Sequence, residues 1–245
     1  MVTDSPIPHP DRLFLGAVLA LSSAAGLSML AFRAYYCGTR GYGFMVWNLL
    51  LAWLPLAFAG AAVSIRPARP RDRVAALAWA FLWLLFFPNA PYLCTEFVHL
   101  WPHGPEHPLP AALLPFTLGQ AAPRWFDVML VLTFAWNGLV LGFLSLHLIH
   151  RAVRDRFGPG LGWAVVAAAS LLSGFGVSIG RFERWNSWDL FARPAPLLAD
   201  IGSRLTNPLA HPHTTGSTLL LTGFLLLAYL TLVALMRLPA ARDAN

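Results

Sequence analysis

The chain has 245 residues, 57% of them hydrophobic and only 11% charged, with a mean hydropathy of +0.59. Soluble domains carry about 25% charged residues, so this composition excludes a water-covered fold and points to lipid as the solvent. The net charge of +6 resides in 17 basic residues, all arginine, set in short clusters beside apolar runs. That pattern sets orientation in a bilayer; it is not the single basic face of a nucleic-acid binder.

Six apolar runs follow in chain order, each long enough to cross roughly 30 Å of hydrocarbon as a helix. They are Leu13–Phe32, Phe44–Ile65, Val74–Leu93, Val128–Ile149, Leu161–Ile179 and Ser217–Met236. Backbone groups inside hydrocarbon must pair within the segment, which leaves the helix as the conformation for each. The reading is an all-α, polytopic bundle of six transmembrane helices forming a single domain over residues 1–245. The first run matches a full span in length and is followed by others, so it is expected to be retained rather than cleaved. The third run meets Pro88-Asn89-Ala90-Pro91, where proline breaks the ladder and restricts its predecessor. A kink is expected there, with Asn89 capping a new turn. The stretch Leu109–Ala122 is semi-apolar and interrupted by Pro110 and Pro115; it suits the interface rather than a span.

Arginine placement orients the bundle. With both termini cytoplasmic, ten arginines fall inside (Arg12, Arg66, Arg69, Arg71, Arg73, Arg151, Arg154, Arg156, Arg237, Arg242) and seven outside. The two long connections, Thr95–Trp125 and Arg181–Gly216, then share the outer face of a cell membrane. Long loops on a membrane scaffold tend to carry function. Cys37 and Cys94 are too few for a disulfide framework or a zinc cluster.

Three stretches concentrate polar residues. In the first, Glu96 and His99 lie three apart and share a helical face. Such a pair ligates a metal or lets a carboxylate orient an imidazole; equally, both residues can simply solvate a helix end. The second is Arg124-Trp125-Phe126-Asp127. Its carboxylate suits the first turn of a helix and its aromatics suit the membrane belt. The third is Gly180-Arg181-Phe182-Glu183-Arg184-Trp185-Asn186-Ser187-Trp188-Asp189-Leu190, dense in arginines and acids at a membrane boundary. Partly buried charges need partners or ligands, and arginine suits bidentate binding of phosphate or carboxylate. Structural ion-pair networks produce the same composition. Asn48 and Asn137 lie within spans, where interhelical hydrogen bonds are their default role. Ala169, Ser170, Ser173, Gly174 and Gly176 suit close helix packing. The loop histidines His103, His107, His211 and His213 are candidate ligands, and His147 and His150 sit at the opposite end of the fourth run. No phosphate-binding loop, dinucleotide fingerprint or metalloprotease helix is present.

Pro88-Asn89-Ala90-Pro91-Tyr92 with Thr95-Glu96 and His99-Leu100, then Trp125-Phe126-Asp127, then the Arg181–Asp189 string, and finally Asn207-Pro208-Leu209 with His211-Pro212, are similar to a known pattern. The chain resembles the uncharacterised bacterial membrane family catalogued as domain-of-unknown-function family 1361, from about residue 40 to the last helix. The resemblance implies a multi-pass protein of a bacterial inner membrane and implies no reaction.

The functional expectation is a polar site at the outer face acting on a lipid or lipid-linked anion. Glu96, His99, Asp127 and Asp189 supply acid–base or metal-ligand groups. Arg181 and Arg184 hold the anionic headgroup, with Asn186, Trp185, Trp188 and Asn89 lining the site. The competing expectation is a non-catalytic accessory subunit whose polar loops dock a partner protein. An ion-coupled transporter is disfavoured, because such proteins place ionisable residues and broken helices near the midplane. The identity of any metal or cofactor is left open.

Overall fold

The computed structural model describes residues 9–37, 41–65, 69–100 and 122–237. Leu109–Ala121, His103 and His107 lie outside these residues. The described elements are helical: α1 His9–Cys37, α2 Phe44–Ser64, α3 Pro70–Phe86, α4 Asn89–Tyr92 running on as a 3₁₀ helix Leu93–Leu100, α5 Ala122–Phe157, α6 Pro159–Phe182, α7 Asp189–Ala192, α8 Pro194–Thr206, a 3₁₀ turn Pro208–Ala210, and α9 Pro212–Met236. Six stretches have the length and apolar composition of membrane spans, one for each expected run. The chain is an all-α polytopic bundle.

α1, α5, α6 and α9 outrun their apolar runs because the flanking residues stay helical. α5 begins at Ala122 and continues to Phe157, so Asp127 sits in its second turn rather than its first. The third span breaks earlier than its expected end at Leu93. α3 stops at Phe86, ahead of Pro88, whose ring cannot sit inside a continuing helix. Asn89 does not act as the N-cap of the new turn. It is the first residue of α4, and its Nδ2 donates to the Phe86 carbonyl (2.9 Å) and to Ser187 Oγ (3.1 Å). The side chain therefore satisfies an acceptor freed at the end of α3, the more costly omission in a dry environment.

α5 is the longest element and joins two apolar cores. One gathers Leu19, Leu30, Met45, Leu49, Leu93, Leu130 and Phe134 from α1, α2, the 3₁₀ helix and α5. The other gathers Trp83, Phe87, Leu146, Val166, Tyr229 and Val233 from α3, α5, α6 and α9. Between α1, α2 and α5, Asn137 accepts from Ser23 Oγ (3.1 Å), and Ser23 accepts from Trp53 Nε1 (3.2 Å), the interhelical role expected of Asn137. α6 meets α9 through Gly174, where an added Cβ would come within 2.7 Å of the Thr218 carbonyl oxygen. Leu219, Leu220 and Leu227 of α9 stand exposed, as lipid-facing side chains do.

Candidate functional site

The break after α3 is the reason a site exists. Beyond it the chain winds as a 3₁₀ helix, in which residues three apart eclipse. Glu96 and His99 therefore lie one above the other, and Tyr92 and Thr95 form a second row beside them. Arg181, in the last turn of α6, reaches across both rows. Its Nη2 lies 3.0 Å from Glu96 Oε1. Its Nε and Nη2 donate to Thr95 Oγ1 at 2.9 and 2.7 Å, and the guanidinium stacks 4.3 Å over the Tyr92 ring. From α2, Asn48 Nδ2 donates to Glu96 Oε1 at 2.8 Å. Glu96 is wholly buried, so these bonds replace the water it has lost.

His99 Nε2 stands between incompatible neighbours, with Arg181 Nη1 at 3.1 Å and Glu96 Oε2 at 3.2 Å. A guanidinium only donates and a carboxylate only accepts. If Nε2 accepts from Arg181, Glu96 Oε2 loses that partner. If Nε2 carries a proton toward Glu96, Arg181 Nη1 loses its acceptor. Consistent with this conflict, Glu96 Oε2 is buried without a well-aligned hydrogen bond.

Asp127 does not join this group. It forms a fork with Arg33 of α1, at 2.6 and 3.0 Å. Tyr42 connects the two sets: its ring lies 4.1 Å beneath the Arg33 guanidinium and its hydroxyl donates to the His99 carbonyl at 3.2 Å. Burial, and after it the Asp127 carboxylate, pushes the Tyr42 phenol above its ordinary range against the opposing pull of Arg33.

Asp189 also has its own partners. Its Oδ2 accepts from the Asn186 backbone N–H (2.9 Å) and its Oδ1 from Arg193 (2.9 Å). Burial raises its pKa, but these bonds outweigh burial and hold the carboxyl below the ordinary range. Trp185 Nε1 donates to Asp200 (2.9 Å), and Arg204 bridges Asp200 and Glu183 at 3.0 Å each. Arg184 is exposed, makes no ion pair among the described residues, and has a backbone φ of 61°.

Of the expected catalytic set, then, Glu96 and His99 converge with Arg181, whereas Asp127 and Asp189 are held elsewhere. Sequence reasoning missed Arg33, Tyr42, Thr95, Asp200 and Arg204 as members of these networks. The Asp200–Arg204 spacing of four on one helix was a readable signal. Arg33 gave none, since it sits where any flanking arginine would.

Beside the buried group lies a cleft of about 360 Å³ between α2, α3, α4, α6 and the α7–α8 arm. Its walls are apolar, with Leu51, Phe81, Leu84, Leu172 and Ile179. Its rim carries Asn48, Asn89, Asn186 and Ser187 with Trp47, Trp185 and Trp188. Trp47 and Trp188 meet edge to face, centroids 6.2 Å apart. Asn48 faces the cleft and also binds Glu96. Among the described residues, no three His, Cys, Asp or Glu side chains gather closely enough to hold a metal.

A family model described as "Protein of unknown function (DUF1361)" matches residues 47–228. The chain belongs to that family. The match takes in Asn48, Glu96, His99, Arg181 and the whole cleft, while Arg33 and Tyr42 precede it. No curated protein and no solved structure matches the chain.

Proposed function

We propose that this multi-pass protein of the cell membrane binds an amphiphile, a lipid or lipid-linked molecule, in the cleft beside the α3 break. The observation carrying the reading is the cleft itself: about 360 Å³ with apolar walls and a polar, tryptophan-rich rim. Ligand sites occupy roughly 300–1,000 Å³ and combine these features. The rim lies at one end of the bundle, where a headgroup would sit while its tail follows the wall. Binding is favoured over catalysis because Glu96, the strongest candidate acid, is enclosed by Asn48, Arg181 and His99. We place both termini in the cytoplasm on the ten-to-seven arginine bias. A reporter fused after Arg156 is expected to read cytoplasmic.

Native mass spectrometry of the detergent-extracted protein tests the binding. The wild type is expected to retain one amphiphile per chain. Leu172 lines the cleft and is 50% exposed, so Leu172→Trp fills the space without entering the core. It should release the ligand and leave the melting temperature unchanged. Equal occupancy in both proteins would sink the reading.

A second reading, a subunit that docks a partner protein, draws on Phe191 and Leu209, which are 64% and 94% exposed on the arm side. Phe191→Asp with Leu209→Asp separates the two: under the first reading the bound amphiphile survives both changes.

A further inference from the structure

We infer that the head of the bound amphiphile is uncharged and rich in hydroxyl groups, a glycosyl or polyol head on an apolar tail. This rests on the binding reading above and narrows its substrate class. The first observation is the charge of the lining, which includes no Arg, Asp, Glu or His. An anionic head brought into such a site would surrender its water without gaining a cation.

Arg184 is exposed and stands outside the lining, and the other neighbouring cations are already committed. Arg181 is spent on Thr95, Glu96 and His99. Arg193 holds Asp189, and Arg204 holds Glu183 and Asp200. Releasing any of them to a phosphate would strand a carboxylate, and Glu96 and Asp189 are buried. That would cost more than the new contact returns. The expected role of Arg181 as an anion clamp therefore does not suit its geometry.

The second observation is what the rim does offer. Asn186 is exposed, and among the described residues its side-chain amide has two hydrogen-bond contacts, both long at 3.5 Å. An amide both donates and accepts, as does a hydroxyl, so the two pair without a charge on either side. Asn48 spends its Nδ2 on Glu96 and retains its Oδ1 as an acceptor. Trp47 and Trp188 are 55% and 37% exposed at the mouth. Their electron-rich faces attract the polarised C–H groups of a sugar ring. Neutral amides for hydroxyls and indole faces for C–H edges form one coherent set.

The test offers delipidated protein three lipids with identical acyl chains, read by native mass spectrometry. They are glucosyl diacylglycerol, phosphatidic acid and unmodified diacylglycerol. The glucosyl lipid is expected to bind at least tenfold more tightly than either of the others. Asn186→Ala and Trp188→Ala should each remove most of that preference without lowering the melting temperature. Tighter binding of phosphatidic acid overturns the inference and leaves the cleft reading standing. A glucosyl preference indifferent to both substitutions also overturns it. If none of the lipids binds in a way that Leu172→Trp abolishes, the cleft reading itself has failed.

Discussion

The two ends of the bundle bury polar side chains by different means. At the end reached by the 3₁₀ helix, four elements contribute charges that neutralise one another: Arg33 with Asp127, and Arg181 with Glu96. At the other end, Tyr229 places its hydroxyl 2.6 Å from His150 Nδ1 and 3.4 Å from His147 Nδ1, packed by Trp163. The ion pairs described there, Arg71–Asp72 and Arg154–Asp155, each join sequence neighbours at the surface. The difference follows from backbone regularity. α5 and α6 run unbroken to the second end, so their amides are satisfied within the helices and one neutral hydrogen bond completes the packing. α3 is broken before the first end, and the irregular chain beyond it is fixed by side chains from α2 and α6.

The sharpest way to break this comparison is to remove one partner at each end. Glu96→Ala leaves Arg181 buried beside Thr95 and His99 without its counter-charge, a loss of about 3–5 kcal/mol. Tyr229→Phe removes a neutral hydrogen bond and leaves His150 with neither ring nitrogen paired, costing about 1–3 kcal/mol. Thermal unfolding in detergent measures both. Equal shifts would mean that the charged end is no more cooperative than the aromatic one.

Backbone contact at the break supplies the next effect. A Cβ on Gly138 of α5 would run into the Ala90 carbonyl and come within 2.9 Å of Leu93 Cβ. Gly138→Ala should cost about 1–3 kcal/mol as the break is pushed off α5. Gly223→Ala, at a position where a Cβ meets nothing within 4 Å, should be neutral or mildly stabilising. Matching losses for the two variants would remove the steric explanation.

Arg33 and Asp127 are 16% and 19% exposed in their side chains, between the buried and solvated cases. A double-mutant cycle with Arg33→Ala and Asp127→Ala should return a coupling of about 2 kcal/mol. A coupling near zero would reduce the fork to an ordinary surface contact.

These variants also mark how far the sequence could be read. The six spans were legible because each run of about 20 apolar residues meets the one constraint that hydrocarbon imposes. The break was legible in Pro88 and Pro91, although the duty of Asn89 was not, since capping and carbonyl satisfaction demand the same side chain. Glu96 and His99 were legible as a pair from their spacing. Their union with Arg181 was legible in the electrostatic need of a carboxylate near hydrocarbon for Arg181 or Arg184; the separate fates of Asp127 and Asp189 were not. Which helix ends become neighbours depends on packing across α2, α5 and α6, and that information is spread over Gly138, Gly174 and Gly176 rather than held in any motif. The cleft was invisible for the same reason, being a space between five elements.

The α7–α8 arm answers to acid through Asp189. Asp189 is held below the ordinary carboxylate range, so its contribution is complete above the unfolded value of about 4. That contribution falls away as the pH drops through the lower folded value. Melting temperatures of the wild type and Asp189→Asn should therefore differ most above pH 4 and converge below it. A gap that stays constant with pH would show that Asp189 contributes through shape rather than charge.

The smallest effect concerns Arg184, which follows the C-cap residue Glu183 of α6. This is the position where helices commonly turn left-handed and where glycine is preferred. Arg184 adopts that geometry with φ 61°, at a cost of about 1–2 kcal/mol for a residue with a Cβ. Glycine removes the strain but returns about 0.5–1 kcal/mol of chain entropy to the unfolded state. Arg184→Gly should accordingly leave stability unchanged or raise it by about 0.5 kcal/mol. Arg184→Ala keeps the strain and loses only an exposed side chain with no ion pair among the described residues, so it should fall slightly below the wild type. The difference between the two variants isolates the backbone term. If Ala proves the more stable, α6 does not end through a left-handed residue in solution. The Trp185–Asp200 bond, rather than a left-handed turn, would then set the path of the following loop over the cleft.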